Sequence, residues 1–433
     1  MKNCLRVAFI AVAAAWAVIP RADTVQASST TLVLGRQDYR AGALQTAVPV
    51  YELIDISASG LQTPYTDDLE IVLSTWGSAD LANHVRFWQN GALVDDRLTG
   101  DVNVGYIRAA FFGRRLSLRV GRQMVADGVA RMVQLDGAEA RLSLPYQFGI
   151  SGYVGSPVAP RFAARGGDLA VGNVRADFAT GGRVSWRYAR LLDVGASVAV
   201  ATDHGDTSRQ DVGADLRLTP FRFLQLLGSG WWSLYESRLG EASVAATLFP
   251  MPHLDVTLDY RHVEPDLFLP RNSILAVFAS DKRDDVGGSV HWGLMRNVAL
   301  DVDYHALFQP AGTGHWARAK GTWHPGGPSS TLGGELSLLN NPDNSYFLVR
   351  AFGARQLATL FSGTLDLLGY FFDHAVNGKS EALTATATVG YQFARGWRAV
   401  LAGSAGTTAY LDRQLDVMAK LVYDGTYSVR EVR

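Results

Sequence analysis

Over most of its length the chain is a succession of segments of about ten residues in which apolar and polar positions alternate. At 211–218, Val212, Ala214, Leu216 and Leu218 share one face, and Asp211, Gly213, Asp215 and Arg217 share the other. Residues 254–261 repeat the form, with Leu254, Val256, Leu258 and Tyr260 against Asp255, Thr257, Asp259 and Arg261. The same alternation recurs at 300–306 and 415–421. A period of two predicts strands, and no stretch sustains the 3.6-residue period of a helix. About 22 segments can be counted, with 18 to 22 expected in one sheet; the first are 31–39, 51–59 and 69–76, and the last is 414–423.

Short connections such as Gly113-Arg114, Met295-Arg296 and Arg395-Gly396 alternate with longer polar ones at 203–210, 264–285, 308–314, 340–344 and 373–381. A face of Asp, Arg, Thr and His cannot meet hydrocarbon, and a sheet in lipid must leave no backbone group unpaired. The pattern therefore predicts an all-β protein: a closed antiparallel transmembrane β-barrel with short periplasmic turns, longer outer loops and no separate plug domain. Aromatics fall near segment ends. Phe111, Phe112, Tyr146, Phe221, Phe223, Trp323, Phe352, Phe393 and Trp397 flank short turns, while Trp231, Trp232, Phe308, Tyr370 and Phe372 lie near long ones. Two such bands match two membrane interfaces.

The first residues set the compartment. Lys2 and Arg6 precede an apolar run over 7–19, and Val25-Gln26-Ala27 fits a small-residue cleavage pattern. This predicts a signal peptide over 1–27 and one barrel domain over 28–433. Cys4, the single cysteine, leaves with the signal, and the loss of three cations and one anion moves the formal net charge from −1 to −3. A near-neutral chain lacks the basic excess of a nucleic-acid-binding protein. One cysteine cannot build a disulfide scaffold, a cysteine zinc site or an iron–sulfur cluster.

The sequence Leu-Arg-Val-Gly-Arg-Gln at 118–123, followed by Leu-Asp-Gly at 135–137, resembles a strand pair of channel-forming bacterial outer-membrane barrels, including alginate-export-like proteins; Leu-Gly-Arg-Gln at 34–37 echoes it. The resemblance implies a porin-like channel in the outer membrane. The chain departs from that pattern at its end, where many such barrels finish on an aromatic residue and this one finishes on Arg433.

No nucleophile elbow, phosphate loop, dinucleotide fingerprint or His-Glu-x-x-His motif occurs, and the nine histidines form no ligand spacing. The expectation is no enzyme, no cofactor and no metal. Strand phase instead assigns charges to the barrel interior: Arg119, Glu139, Arg141, Arg187, Asp211, Asp215, Arg217, Asp255, Asp259, Arg261, Asp301, Asp303, Arg318, Lys320, Arg350, Asp366 and Lys420. Arg122 joins them if a bulge near Gly121 resets the phase. Most such residues would pair across strands; charges tune a pore only where it narrows. In the loop 264–285, Ile274, Leu275, Val277 and Phe278 are too apolar for solvent, and mark a candidate constriction or partner contact. The expected function is passive diffusion of small polar or ionic solutes through a barrel held in outer-membrane lipid. The alternative is a structural barrel that sheathes a periplasmic or surface protein partner, such as an electron-transfer cytochrome or a secretion component.

Overall fold

The structure is a computed structural model that describes residues 23–40, 43–61, 63–81, 86–89, 92–95, 98–128, 130–158, 178–203, 205–268, 282–327, 329–342 and 344–428. Its strands are β1 (Thr24–Arg40), β2 (Ala43–Ala47), β3 (Pro49–Ser59), β4 (Asp68–Asp80), β5 (Arg86–Gln89), β6 (Ala92–Asp95), β7 (Leu98–Phe111), β8 (Leu116–Asp127), β9 (Ala130–Ser143), β10 (Phe148–Pro157), β11 (Ala179–Tyr188), β12 (Leu192–Asp203) and β13 (Asp206–Phe221). They continue as β14 (Leu224–Ser233), β15 (Arg238–Met251), β16 (Leu254–Val263), β17 (Arg283–Met295), β18 (Val298–Gln309), β19 (Gly312–Trp323), β20 (Ser330–Asn340), β21 (Tyr346–Ala358), β22 (Phe361–Val376), β23 (Lys379–Ala394), β24 (Trp397–Gly406) and β25 (Arg413–Ser428). β5 and β6 form a small hairpin of their own. β2 and β3 run on from one another along β1, and with those two taken as one the sheet is a closed antiparallel barrel of 22 strands.

Closure is made by β1 and β25, in register from Thr24 opposite Ser428 to Tyr39 opposite Arg413. β1 is thus paired along both sides, with β25 on one and with β2 and β3 on the other, and offers no open edge to lipid. Alternation along each strand sorts the side chains. Val198, Leu216, Val244, Leu258, Leu336, Leu365, Val389 and Leu401 are exposed on the outer face. Mid-strand charges such as Asp215, Arg217, Asp259, Asp303 and Arg350 lie in the opposite phase.

Both described ends of the sheet, Thr24 and Ser428, lie at the end where tight connections join β7 to β8, β11 to β12, β13 to β14, β17 to β18 and β23 to β24. We call this the turn end. At the other end, three segments that read as polar loops prove to be largely strand. Gln309 pairs with Gly312, and Val376 pairs with Lys379 around Asn377-Gly378, whose φ values of 51° and 79° make a tight hairpin turn. Asp203 pairs with Asp206 in the same way. Strand that projects beyond the membrane has water on both faces, so neither face need be apolar and the alternation fades there.

The first strand also begins earlier than its pattern indicates. β1 starts at Thr24, and Val25 is buried with Ala58 and Leu61. A cut after Ala27 would remove residues that pair with both β3 and β25. Residues 1–22, with the apolar run, lie outside the described residues.

Candidate functional site: the lumen and its inward hairpin

The motif that carries the resemblance sits where the wall changes course. Gly121 has φ of +130°, and a Cβ there would come within 2.9 Å of the Tyr106 Cα. Across β8, β9 and β10, Gly121, Gly137 and Gly155 stand opposite one another, and a Cβ on Gly137 would lie 2.6 Å from the Gly155 Cα. Only glycine permits backbones to approach this closely, and only glycine adopts the φ of position 121 without strain.

Beyond this glycine row β8 and β9 leave the wall. Pairing of β7 with β8 stops at Gly105 and Arg122, and pairing of β9 with β10 stops at Leu135 and Pro157. β8 and β9 continue to pair with each other as far as Asp127 and Ala130. The freed hairpin lies on the strands that follow it around the barrel. Asp127 accepts a hydrogen bond from the Ser151 hydroxyl of β10. Gly128 abuts β11 and β12: a Cβ there would be 2.7 Å from the Ser197 Oγ and 2.9 Å from the Arg183 Cδ. β9 and β12 are not neighbours in the sheet, so they meet only across the concave side. The face bearing Ser151, Tyr153, Arg183 and Ser197 is therefore the lumen wall, and the hairpin lies inside the barrel.

Apolar burial holds it there. Val125 and Leu135 are fully buried and pack with Tyr153 and Val133. Each such side chain contributes roughly 1.5–3 kcal/mol relative to exposure, which offsets wall pairing lost to the bend. Buried Gln123 donates its amide to the carbonyls of Arg119 (3.4 Å) and Gly137 (3.3 Å). Arg122 binds Asp136 through two bonds of 2.7 and 2.9 Å, and reaches Asp101 at 2.9 Å and the Val102 carbonyl at 3.0 Å. It thus ties the bent hairpin to β7, in the opposite strand phase from Arg119.

The wall around the hairpin is a mosaic of opposite charges. Glu70, Arg108, Arg119 and Glu139 stand in one cross-strand row. Arg108 meets Glu70 at 2.7 Å, Arg119 pairs with Glu139, and Arg141 meets Glu139 at 2.7 Å. Together they line a cleft of about 300 Å³ with Tyr106, whose ring lies 5.1 Å from the Arg119 guanidinium. Further round, Arg183 pairs with Asp215 at 2.6 Å, Arg187 with Asp193 at 2.8 Å, Arg261 with Glu241 at 2.7 Å, His305 with Asp259 at 3.4 Å and Arg318 with Asp303 at 2.8 Å. Arg350 pairs with Asp366. Arg217 and Lys320 make no ion pair among the described residues; the Lys320 ammonium lies 5.6 Å from the Phe352 ring instead.

No protein-family model and no curated protein matches the chain. Among solved structures it is similar to the translocation pore of the P pilus usher PapC, at 10% identity over 93% of this chain and 100% of that one, with a TM-score of 0.52. A mutant of the ferric enterobactin receptor PfeA from Pseudomonas aeruginosa matches with a TM-score of 0.57 and 7% identity, over 92% of this chain and 80% of that one. The outer membrane protein OpdK from the same organism matches at 10% identity over 93% and 99%, with a TM-score of 0.43. The first two show a common fold and nothing finer.

The charges expected to face inward from strand phase share the inner face, joined by Glu70, Arg108, Arg183 and Glu241, which the phase reading did not single out. Four aromatics expected in the membrane bands depart from them. Phe352 stands opposite Asp366, Tyr370 opposite Leu348 and Phe372 opposite Tyr346, on the inner face; Trp231 is buried opposite Glu241. Proximity to a turn says nothing of phase, whereas Phe352 is two residues from inward Arg350. Ile274, Leu275, Val277 and Phe278 lie outside the described residues, and β17 already begins at Arg283. The inward hairpin itself was missed. Its signals were Gly121, Gly128 and Gly137, together with apolar Val125 and Leu135 in a phase that carries charge elsewhere.

Proposed function

We propose that the chain is an outer-membrane channel for passive diffusion of small polar or ionic solutes, delivered across the inner membrane by its signal peptide. Arg119, Glu139, Arg141, Arg187, Asp215, Arg217, Asp259, Arg261, Asp303, Arg318, Lys320 and Arg350 line its wall, and Arg122 fastens its narrowing. The observation that carries this reading is the hairpin of β8 and β9 lying inside a barrel whose inner face is charged. A closed barrel with an apolar exterior belongs in lipid, and a charged interior is a wet one. A segment held across part of the lumen sets an upper size for what passes, and favours small solutes over an enclosed protein partner. No catalytic role is assigned to the wall.

Single-channel recording of the purified full-length barrel in planar bilayers tests the reading. The expected result is a stable ohmic conductance. A folded barrel that stays sealed to ions while retaining a periplasmic protein in pull-down would replace this reading with that of a structural sheath.

A further inference from the structure

The turn end of the barrel carries a ring of arginines. Arg115 follows β7, Arg190 precedes β12, Arg222 links β13 to β14, Arg296 links β17 to β18, Arg355 lies near the end of β21, and Arg395 links β23 to β24. All six are exposed, and none makes an ion pair among the described residues. The only acid in the described connections of this end is Asp67, which accepts the Arg114 backbone N–H at 3.1 Å. Arg355 and Arg395 continue the outward, lipid-facing phase of their strands.

Just inside the ring is a belt of indoles. Trp186, Trp292, Trp323 and Trp397 all face outward within a few residues of the turn end. Aromatic neighbours accompany them, with Trp397 4.8 Å from Tyr423 and Trp186 6.1 Å from Phe148. Amphipathic rings settle at head-group depth. The guanidinium ring one step further out is then level with phosphates, whose geometry the planar fork matches through two parallel hydrogen bonds. The six sites are dispersed over six different hairpins instead of forming one patch. A dispersed ring suits a sheet of head groups and gives a single globular partner no focused surface.

We propose that this rim binds the phosphates of anionic phospholipids, and that the turn end faces the leaflet which carries them. The proposal rests on the barrel spanning a bilayer, and it is independent of whether the lumen conducts. Full-length protein is reconstituted in phosphatidylcholine vesicles doped with brominated phosphatidylglycerol or brominated phosphatidylcholine, and tryptophan quenching gives the relative binding constant. Trp232, outward at the opposite end, is replaced (Trp232→Phe) in every protein compared, so that the outward reporters among the described residues are the four belt indoles. The wild type should prefer phosphatidylglycerol several-fold, and the preference should weaken as salt screens it. Changing all six arginines to glutamine should bring the ratio close to one, with each half-set (Arg115, Arg190 and Arg222, or Arg296, Arg355 and Arg395) giving part of the loss. The half-sets keep the test decisive if the full variant does not assemble. Arginine-to-lysine versions should keep most of the preference. A wild-type ratio near one, or an unchanged ratio in glutamine variants that remain heat-modifiable, overturns the proposal. Heat-modifiability scores insertion separately, so loss of the barrel reading and loss of the lipid reading are distinguishable.

Discussion

Gly128 of the inward hairpin and Ser197 of β12 meet across the lumen: a Cβ on Gly128 would stand 2.8 Å from the Ser197 Cβ. Two cysteines at these positions need a small retreat to reach the 3.5–4.5 Å spacing of a disulfide, and the one at 128 must also accept a φ of 64° at a modest cost in strain. Cys4 is the chain's only cysteine, so an engineered bond has little competition. Gly128→Cys with Ser197→Cys should cross-link under mild oxidation and migrate differently on a non-reducing gel. A pair that stays fully reduced in the folded barrel would show that the hairpin does not rest on this wall.

If the hairpin narrows the pore, shortening it should widen the pore. Replacing residues 124–133 by a two-residue turn removes Val125 and Val133 while keeping the Arg122–Asp136 pair. Conductance should rise by about twofold or more, because resistance concentrates where a channel is narrowest. Unchanged conductance in a heat-modifiable variant would place the narrowing elsewhere.

The two faces of the sheet should respond oppositely to charge. Leu258 is 61% exposed on the outer face, whereas Asp215 pairs with Arg183 on the inner one. Leu258→Arg puts a cation into hydrocarbon at a cost of about 2–4 kcal/mol near the bilayer midplane, whereas Asp215→Ala removes one wall contact. Assembly measured by heat-modifiable mobility should fall sharply for the first and little for the second. Equal yields would contradict the assignment of faces.

The barrel was legible because its main constraint is local. One face in lipid and one in water impose a period of two on every membrane segment, and 211–218 and 254–261 show it without help from the rest of the chain. The parts that were not legible are those where that constraint lapses. Strand beyond the membrane, as around Gln309 and Val376, has water on both sides and no reason to alternate. Thr24 and Val25 belong to a strand because of partners hundreds of residues away, at Ser428 and Tyr427. In the inward hairpin Val125 and Leu135 turn apolar side chains to the lumen because Tyr153 is there to cover them, a tertiary fact that periodicity does not contain.

The wall should discriminate weakly between ions. Its arginines are mostly neutralised by a carboxylate, as in Arg119 with Glu139, Arg183 with Asp215 and Arg318 with Asp303. Paired charges of opposite sign give no long-range field of either sign. Reversal potentials in a salt gradient should therefore show only modest preference. Near-ideal selectivity would mean that one unpaired site, such as Arg217, stands at the narrowest point.

If a leader is cut from this chain, the closure of the sheet bounds where the cut falls. Thr24, Val25, Gln26 and Ala27 pair with 56–59 on one side and 425–428 on the other, and Val25 is only 4% exposed. Removing them would strip the partners from the ends of β3 and β25 at the seam of the barrel and uncover Ala58 and Leu61, which pack on Val25. Processing should therefore leave an N-terminus at or before Thr24, not at Ser28. N-terminal sequencing of the protein recovered from membranes decides it. A mature chain that begins at Ser28 would mean that the seam is shorter by four residues than the pairing of β1 and β25 shows. In that case, deleting residues 24–27 behind an intact leader should leave heat-modifiable assembly unchanged; with cleavage upstream of Thr24, the same deletion should reduce it.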